Sequence, residues 1–485
     1  MGIPSWDEFA EIALKRLTAS GAEYGDIRIQ QSTTESIQGE DRRIASIRNI
    51  EDCGFGVRVL YHGAWGFAAS SILSLEEVPR VADLAVEIAK GSASIAVEKV
   101  RLAEEPVHRD CVLTPCQIDP FSVSLEKKTD LLLTTMEALH RQAGIVRSSA
   151  SLWARRDRKL FMSTEGARVE FDLLAGQGDC TATALHNGRF ASRSFNTPHL
   201  RRGYELIEEA DFLREAPRVA NQAVEKIHAP IVDAGVYDLI LDPEHLSLTM
   251  HESCGHPSEL DRALGYEANY AGTSFLTTDK QGTFRFGSPH VTFVADNTEP
   301  ETLAATGYDD DGVACQQWDI VRDGIFVGYC TNREVASKIG ETRSRGSNRA
   351  DGWNSVPIVR IANIGLVPGS ATLDQLIGDV KRGICIEGHG SYSIDQRRYN
   401  FQFGGDAFWL IEHGRRTHML RDVIYHGITP EFWNSCDGVA DRLFRRRYGF
   451  ITCGKGQPGQ SGWMTHAAAP ARFRQVAVIR GESSG

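Results

Sequence analysis

Apolar positions along this chain follow a helical period in some stretches and a strand period in others. Trp6, Phe9, Ile12, Ala13 and Leu17 form one stripe of an amphipathic helix. Ile27, Ile29, Ile44, Ile47, Val57, Val59 and Tyr61 then fall in alternating stretches between polar turns, which predicts short strands with a hairpin turn at His62-Gly63. A helix over about 76–90 is expected next, entered near Ser74 with Glu77 three residues on and closed by Gly91. After a linker through Pro106 and Pro115, a helix at about 123–143 ends at Gly144. Strands follow to about 195, with a hairpin signal at Asn187-Gly188, and a helix over about 208–228 stops before Pro230. The order helix, strand block, helix thus occurs twice, at 5–91 and 121–228, without a repeat at the level of residues.

From Gly235 the pattern changes. Val236 to Leu241 reads as a strand, and Asp242-Pro243 as the N-cap and first residue of a helix. Beyond about 280 the chain is mostly short alternating runs, such as Val291 to Val294 and Ile358 to Ile361, with one short helix at 372–382. The expected fold class is α+β. An N-terminal layered domain, 1–230, carries short antiparallel strand blocks flanked by helices, and its repeated layout suggests two similar halves, 1–91 and 121–228. A C-terminal β-rich domain, 231–485, is barrel-like and carries the helix after Asp242.

Composition narrows the function classes. Among 485 residues, 64 are acidic and 53 are Lys or Arg, a net charge of -11 that argues against a chain-wide nucleic-acid surface. The basic run Arg442 to Arg447 reads as a solvated helix face. No apolar stretch is long enough to span a membrane, and Asp7, Glu8 and Glu11 stand where a signal peptide would be basic and then apolar. The ten cysteines are scattered without a CxxC pair, which suits a reducing cytoplasm.

The helix after Asp242 holds His251-Glu252-Ser253-Cys254-Gly255-His256, a compact set of zinc-compatible groups. In the familiar HExxH motif the histidines are one helical turn apart. Here they are five apart, and at about 100° per residue they would diverge by roughly 140° on a regular α-helix. Pro257 disfavours helical geometry at His256, and Gly255 permits an unusual turn before it. The helix is therefore expected to end at about Gly255, with His256 on the exit and its imidazole swinging back toward His251; a local π-type widening is the alternative. The six residues alone fit helix histidines facing solvent or core partners equally well.

Several later segments carry a family likeness. Gly272-Thr273-Ser274 follows the motif; Tyr308-Asp309-Asp310-Asp311-Gly312-Val313 precedes a strand pair from Ile320 to Tyr329. Arg360 to Gly369 includes Asn363 and Pro368-Gly369, and Cys453-Gly454-Lys455-Gly456-Gln457 lies near the end. In this order they resemble the TldD/PmbA family of metallopeptidases across the C-terminal half, while the N-terminal half matches in layout only. The resemblance implies Zn2+ held by His251, His256 and Cys453, with Glu252 as general base. It further implies a processing peptidase acting on unstructured peptides, working as a homodimer or as a heterodimer with a PmbA-type subunit. Three protein ligands leave a fourth tetrahedral position open, the mark of a catalytic site, and a thiolate ligand makes the zinc a weaker Lewis acid.

Competing readings attach to particular residues. The chain could be a non-catalytic PmbA-like subunit, but such members lack the motif that His251, Glu252, His256 and Cys453 retain here. Cys254, where the family has small apolar residues, is either a packing residue or a rival ligand. His389 and Tyr392 could donate to an oxyanion, or His389 could sit in an exposed turn. Gly454 to Gly459 formally matches GxGxxG, yet Pro458 and the later glycines argue against the helix a dinucleotide site needs. Asp309-Asp310-Asp311 reads as a solvated acidic turn rather than a cation site.

Overall fold

The computed structural model describes residues 5–481. Ser5 caps the first helix, Trp6–Ala19, by accepting from the Glu8 N–H, and Phe9, Ala13 and Leu17 turn inward. They pack with Ile27, Val57, Val59, Val81 and Ala85 into one core. A fully buried Phe or Leu in such a core is worth about 1.5–3 kcal/mol.

The strands of the first half are much longer than their periodicity suggests. Tyr24–Glu40 spans 17 residues, and Arg43–Tyr61, Ile145–Ser163 and Arg168–His186 span 19 each. In Arg43–Tyr61 the alternation is hidden at one end, where residues 47–53 are exposed on both faces. The sheet runs in the order Ala64–Ser70, Arg43–Tyr61, Tyr24–Glu40, Ile145–Ser163, Arg168–His186; Arg109–Leu113 and Arg189–Asn196 both pair with the last of these. Each half contributes a helix, two long strands, a short strand and a helix. Tyr24–Glu40 and Ile145–Ser163 meet antiparallel at the centre.

Helix boundaries differ in detail from expectation. Glu77–Ile95 runs through Gly91, whose missing side chain faces open space. Ser124 caps Leu125–His140. The expected 208–228 helix is split into Glu205–Glu209 and Phe212–His228, because Asp211 adopts φ 47 and caps the second piece with its carboxylate. The helix expected at 372–382 is shorter, Leu373–Gly378, with a capping box from Thr372 and Gln375.

The second half forms two larger sheets instead of the expected barrel; among the described residues neither closes on itself. One has nine strands, with Gly235–Leu241 between Ala471–Arg480 and Arg382–Glu387, and Tyr392–Ile394 on one edge. The other has six and ends in the hairpin Gln460–Ala468 with Arg446–Lys455. That hairpin also fills the would-be dinucleotide segment, with a strand where a helix would be required. The main core of this half draws its buried residues from Val232 to Val478 alone.

Two charged runs depart from expectation, the basic one in its secondary structure and the acidic one in its burial. Arg442–Phe444 is a single tight turn and Arg446 opens a strand, so the basic run is not a helix face; Arg445 and Arg447 pair with Glu299 and Glu301. Asp309, Asp310 and Asp311 are buried where the two halves meet. Arg58 pairs with Asp26 at 2.7 Å and Asp311 at 2.6 Å, Lys159 pairs with Asp310 at 2.5 Å, and Asp309 accepts three backbone N–H groups. The cations paired with Asp310 and Asp311 lie over a hundred residues away, so local composition gave no sign of them.

Candidate metal centre

The central strand Gly235–Leu241 delivers the chain to Asp242, whose carboxylate accepts from the His245 N–H at 2.8 Å and starts the helix Pro243–Met250. The next five residues, His251–Gly255, form a π turn in which the His256 N–H bonds the His251 carbonyl. A tighter turn, His256–Ser258, follows. The widened turn brings residues five apart onto one face, so of the two routes open to the sequence the chain takes π widening. His256 does not leave helical geometry: its φ is -59 and ψ -42 despite Pro257. Gly255 is also helical, φ -59 and ψ -66. It is glycine for space, since a Cβ there would stand 2.9 Å from Ile361 Cγ2.

His251, His256 and Cys453 each place one donor atom within 4.8 Å of the others, and all three are buried. Cys453 Sγ lies 3.5 Å from His256 Nε2. Two ligands of tetrahedral zinc at ~2.1 Å and ~2.3 Å would be about 3.6 Å apart, so the spacing and the N, N, S donor set fit such an ion. The second nitrogens are tied. His251 Nδ1 meets His466 Nε2 at 2.8 Å, His256 Nδ1 meets Glu259 Oε2 at 2.9 Å, and the His251 ring stacks on Phe450. Such partners fix ring orientation and raise ligand basicity. Burial, with Arg398, Arg262 and Arg360 nearby, drives His256 well below its ordinary pKa; burial and His256 do the same to His251. Both are therefore neutral and able to ligate. Burial pushes the Cys453 thiol up to about 11, partly opposed by Arg360. A cation is what would make it a thiolate.

Glu252 is buried beside this cluster and accepts a charge-assisted hydrogen bond from Arg398 Nη1. Burial raises its pKa and Arg398 pulls it back. Arg398 sits at φ 66 in the turn between Tyr392–Ile394 and Asn400–Gly404, a left-handed conformation uncommon outside glycine. Tyr392 is more than half exposed, and the Glu252 charge raises its pKa, so its ring lies near the same carboxylate. His389 is not in an exposed turn. It is half-buried, and its Nε2 contacts the Glu244 carbonyl at 2.8 Å and Ser247 Oγ at 3.0 Å. Cys254 is fully buried and lies outside the donor cluster, as a packing residue does. Ser253 accepts from Trp433 Nε1 at 2.9 Å, which pins the π turn to the core.

Lys455 is buried with its Nζ between Asp261, at 2.6 Å and 2.8 Å, and the Val359 carbonyl at 2.7 Å; Glu259 is 3.4 Å away. The lysine of the late Cys-Gly-Lys segment thus secures the carboxylate that holds His256. Ser274 donates to the Pro257 carbonyl, which ties the Gly-Thr-Ser segment to the turn's exit. Spacing along the chain gave no signal for His466, Glu259 or Arg398.

A mixed α/β chain with a buried cluster of two imidazoles and a thiol beside a glutamate presents a candidate three-donor centre that could hold a metal ion. A family model described as the PmbA/TldA metallopeptidase C-terminal domain matches residues 234–463, and one for domain 1 matches residues 25–89. The chain is 30% identical over 439 residues to a metalloprotease of Methanocaldococcus jannaschii, covering 90% of this chain and 93% of that one. A zinc metalloprotease TldD homolog of Saccharolobus solfataricus is 22% identical over 439 residues, covering 88% and 91%. The crystal structure of TldE from Thermococcus kodakarensis shares the fold, with TM-score 0.75, 16% identity and coverage of 96% and 100%. The chain belongs to the PmbA/TldA metallopeptidase family, the TldD/PmbA family its motifs resemble.

Proposed function

We propose that the chain is a zinc-dependent peptidase acting on extended, unstructured peptides, with zinc held by His251, His256 and Cys453. The observation that carries this is the convergence of those three donors beside Glu252. Zinc bound there supplies a Lewis acid for the scissile carbonyl and for a water molecule. Glu252 takes the proton from the attacking water and returns it to the leaving amine. Arg398 orients that carboxylate and favours its charged form against the burial that raises its pKa. Tyr392–Ile394 is an edge strand next to the site, and its free main-chain groups suit an extended peptide added as a further strand.

A non-catalytic role as the partner subunit of a PmbA-like pair is the second reading. The presence of all four motif residues favours the active role, as one copy of a homodimer or as the active half of a heterodimer. We place the division between two domains near residue 230, which the separate cores support, and read the mirrored strand order of residues 5–228 as a duplication. Ten free cysteines suit the expected cytoplasmic setting, and no described helix is long and apolar enough to cross a membrane.

The test pairs metal content with hydrolysis of an unfolded peptide, for the chain alone and with a PmbA-type subunit. Cys453→Ala should lose the zinc, and Glu252→Gln should keep it but lose hydrolysis. Full zinc occupancy in Cys453→Ala, or undiminished hydrolysis in Glu252→Gln, would overturn the assignment.

A further inference from the structure

Three arginines converge where the N-terminal sheet meets the metal-site strand, without carboxylates of their own. Arg201, Arg349 and Arg360 line one cavity of about 80 Å3, together with Lys159 from the strand Ile145–Ser163 and Ser461 from the terminal hairpin. Each arginine is anchored through backbone carbonyls. Arg201 Nε donates to Leu303 at 2.8 Å and Arg349 Nη2 to Ile361 at 2.6 Å; Arg360 donates to Gln460 at 3.2 Å and to Cys453. The anchoring leaves Arg201 Nη1, Arg349 Nε and Arg360 Nε buried with no acceptor. Arg201 is 7% exposed and Arg360 1%, so bulk water does not compensate them.

The charge balance of the cavity is cationic. Lys159 is neutralised by Asp310 at 2.5 Å. Asp351 is occupied by the Ser355 hydroxyl and the Ser461 N–H. Asp309 spends its oxygens on three backbone N–H groups, and burial next to Asp311 holds it well above the usual carboxylate range. None of the three arginines is in an ion pair among the described residues. They repel one another as well. Burial pushes Arg201 down to about 10, with Arg349 adding to the shift, and Arg349 is lowered by burial and by Arg360. Gathering buried guanidinium groups with unmet donors is expensive unless an anion completes the arrangement. The planar fork of arginine is suited to two-oxygen recognition of such an anion.

We propose that this cavity binds one small oxyanion, held by the guanidinium groups of Arg201, Arg349 and Arg360. A water molecule needs ~10–15 Å3, so the space takes several waters or one phosphate-sized anion and excludes a nucleotide. The same oxygen chemistry is offered by inorganic phosphate and by the terminal carboxylate of a peptide. Because Arg360 also holds the Cys453 carbonyl, the bound anion braces the strand that carries Cys453. The site stands whether or not the chain is a peptidase.

The experiment is thermal melting of the full-length chain in inorganic phosphate against chloride at matched ionic strength, for wild type, Arg201→Gln and Arg349→Gln. Phosphate should raise the wild-type Tm saturably, and each variant should lose about tenfold or more in apparent affinity, as removal of a charge-assisted bond requires. A short peptide with a free C-terminus that stabilises the chain where its amide does not would assign the pocket to peptide carboxylates; stabilisation by phosphate alone would assign it to the free anion. No rise beyond chloride from either probe, or equal rises in wild type and both variants, overturns the proposal. If the variants do not fold, wild-type crystals soaked in selenate decide: an anomalous peak among the three guanidinium groups is expected, and its absence overturns the site.

Discussion

Replacing Lys455 with methionine keeps most of the side-chain volume and removes one buried charge. The ammonium makes two bonds to Asp261, one to the Val359 carbonyl, and lies 3.4 Å from Glu259. Without it Asp261, 5% exposed, and Glu259, 0% exposed, face each other with no cation between them. Breaking a buried ion pair on one side costs about 3–5 kcal/mol. The orphaned carbonyl adds roughly 1–3 kcal/mol before relaxation. Together these reach about 4–8 kcal/mol before relaxation, and a loss at the lower end, about 4 kcal/mol, should lower the Tm by roughly 8–16 °C if the C-terminal half melts as one unit.

Proton linkage gives the substitution a signature. Burial already raises the pKa of Asp261 while Lys455 lowers it, so removing Lys455 raises it further. A carboxyl group with a raised folded pKa binds more protons folded than unfolded, so its stability falls as pH rises. The deficit of Lys455→Met should therefore be larger at neutral pH than in mild acid, and Lys455→Met/Asp261→Asn should recover part of it. Urea unfolding followed by tryptophan fluorescence measures both. The His256 carboxylate partner is loosened as well, so zinc affinity should fall about 10–100-fold. A single variant as stable as wild type, or a double variant no better than the single, refutes the electrostatic account of Lys455.

His245 is fully buried between the Gly388 carbonyl and Tyr425, and burial pushes its pKa from 6.5 down to about 4. The unfolded chain takes up its proton first, so stability should drop as pH falls from 6.5 towards 4, by up to roughly 3 kcal/mol; an identical decline in His245→Gln, followed by denaturant titration, contradicts this. Gly255→Ala should cost about 1–3 kcal/mol through overpacking, and adding Ile361→Ala should cost less than the sum of the single changes, as a calorimetric double-mutant cycle will show. Arg398→Met should retain zinc by metal analysis yet lose about 100-fold in kcat/KM, a magnitude typical of one lost electrostatic contact at an active site; unchanged peptide hydrolysis would remove Arg398 from the mechanism.

How far the sequence foretells this molecule depends on the range of the interaction. Caps and first turns depend on neighbours in sequence, so Asp242-Pro243 marks its helix start correctly. The strand Arg43–Tyr61 was foreshortened because its outer end is exposed on both faces and carries no alternation. The Asp309 to Asp311 run was misjudged because solvation and ion pairing start from the same local composition; only Arg58 and Lys159, supplied by the other half of the chain, decide between them. The barrel failed for a similar reason, since short strands with polar turns do not say whether a sheet closes.

The site shows the same division at finer scale. The five-residue spacing of His251 and His256 posed a geometric problem with two solutions, and local rules leaned on Pro257 to end the helix. The chain instead absorbs the extra residue one turn earlier, where Ser253 is held by Trp433 and Gly255 is pressed against Ile361. Tertiary contacts therefore stabilise a turn that intrinsic preference would not choose, and that turn is what aligns the two imidazoles. The same contacts place Glu252 against Arg398, from a hairpin nearly 150 residues away. If the π turn is the element that couples packing to chemistry, then Gly255→Ala should disturb metal affinity and stability together, while Ile361→Ala should restore both. Recovery of stability without recovery of zinc binding would separate the two and leave the π turn as packing alone.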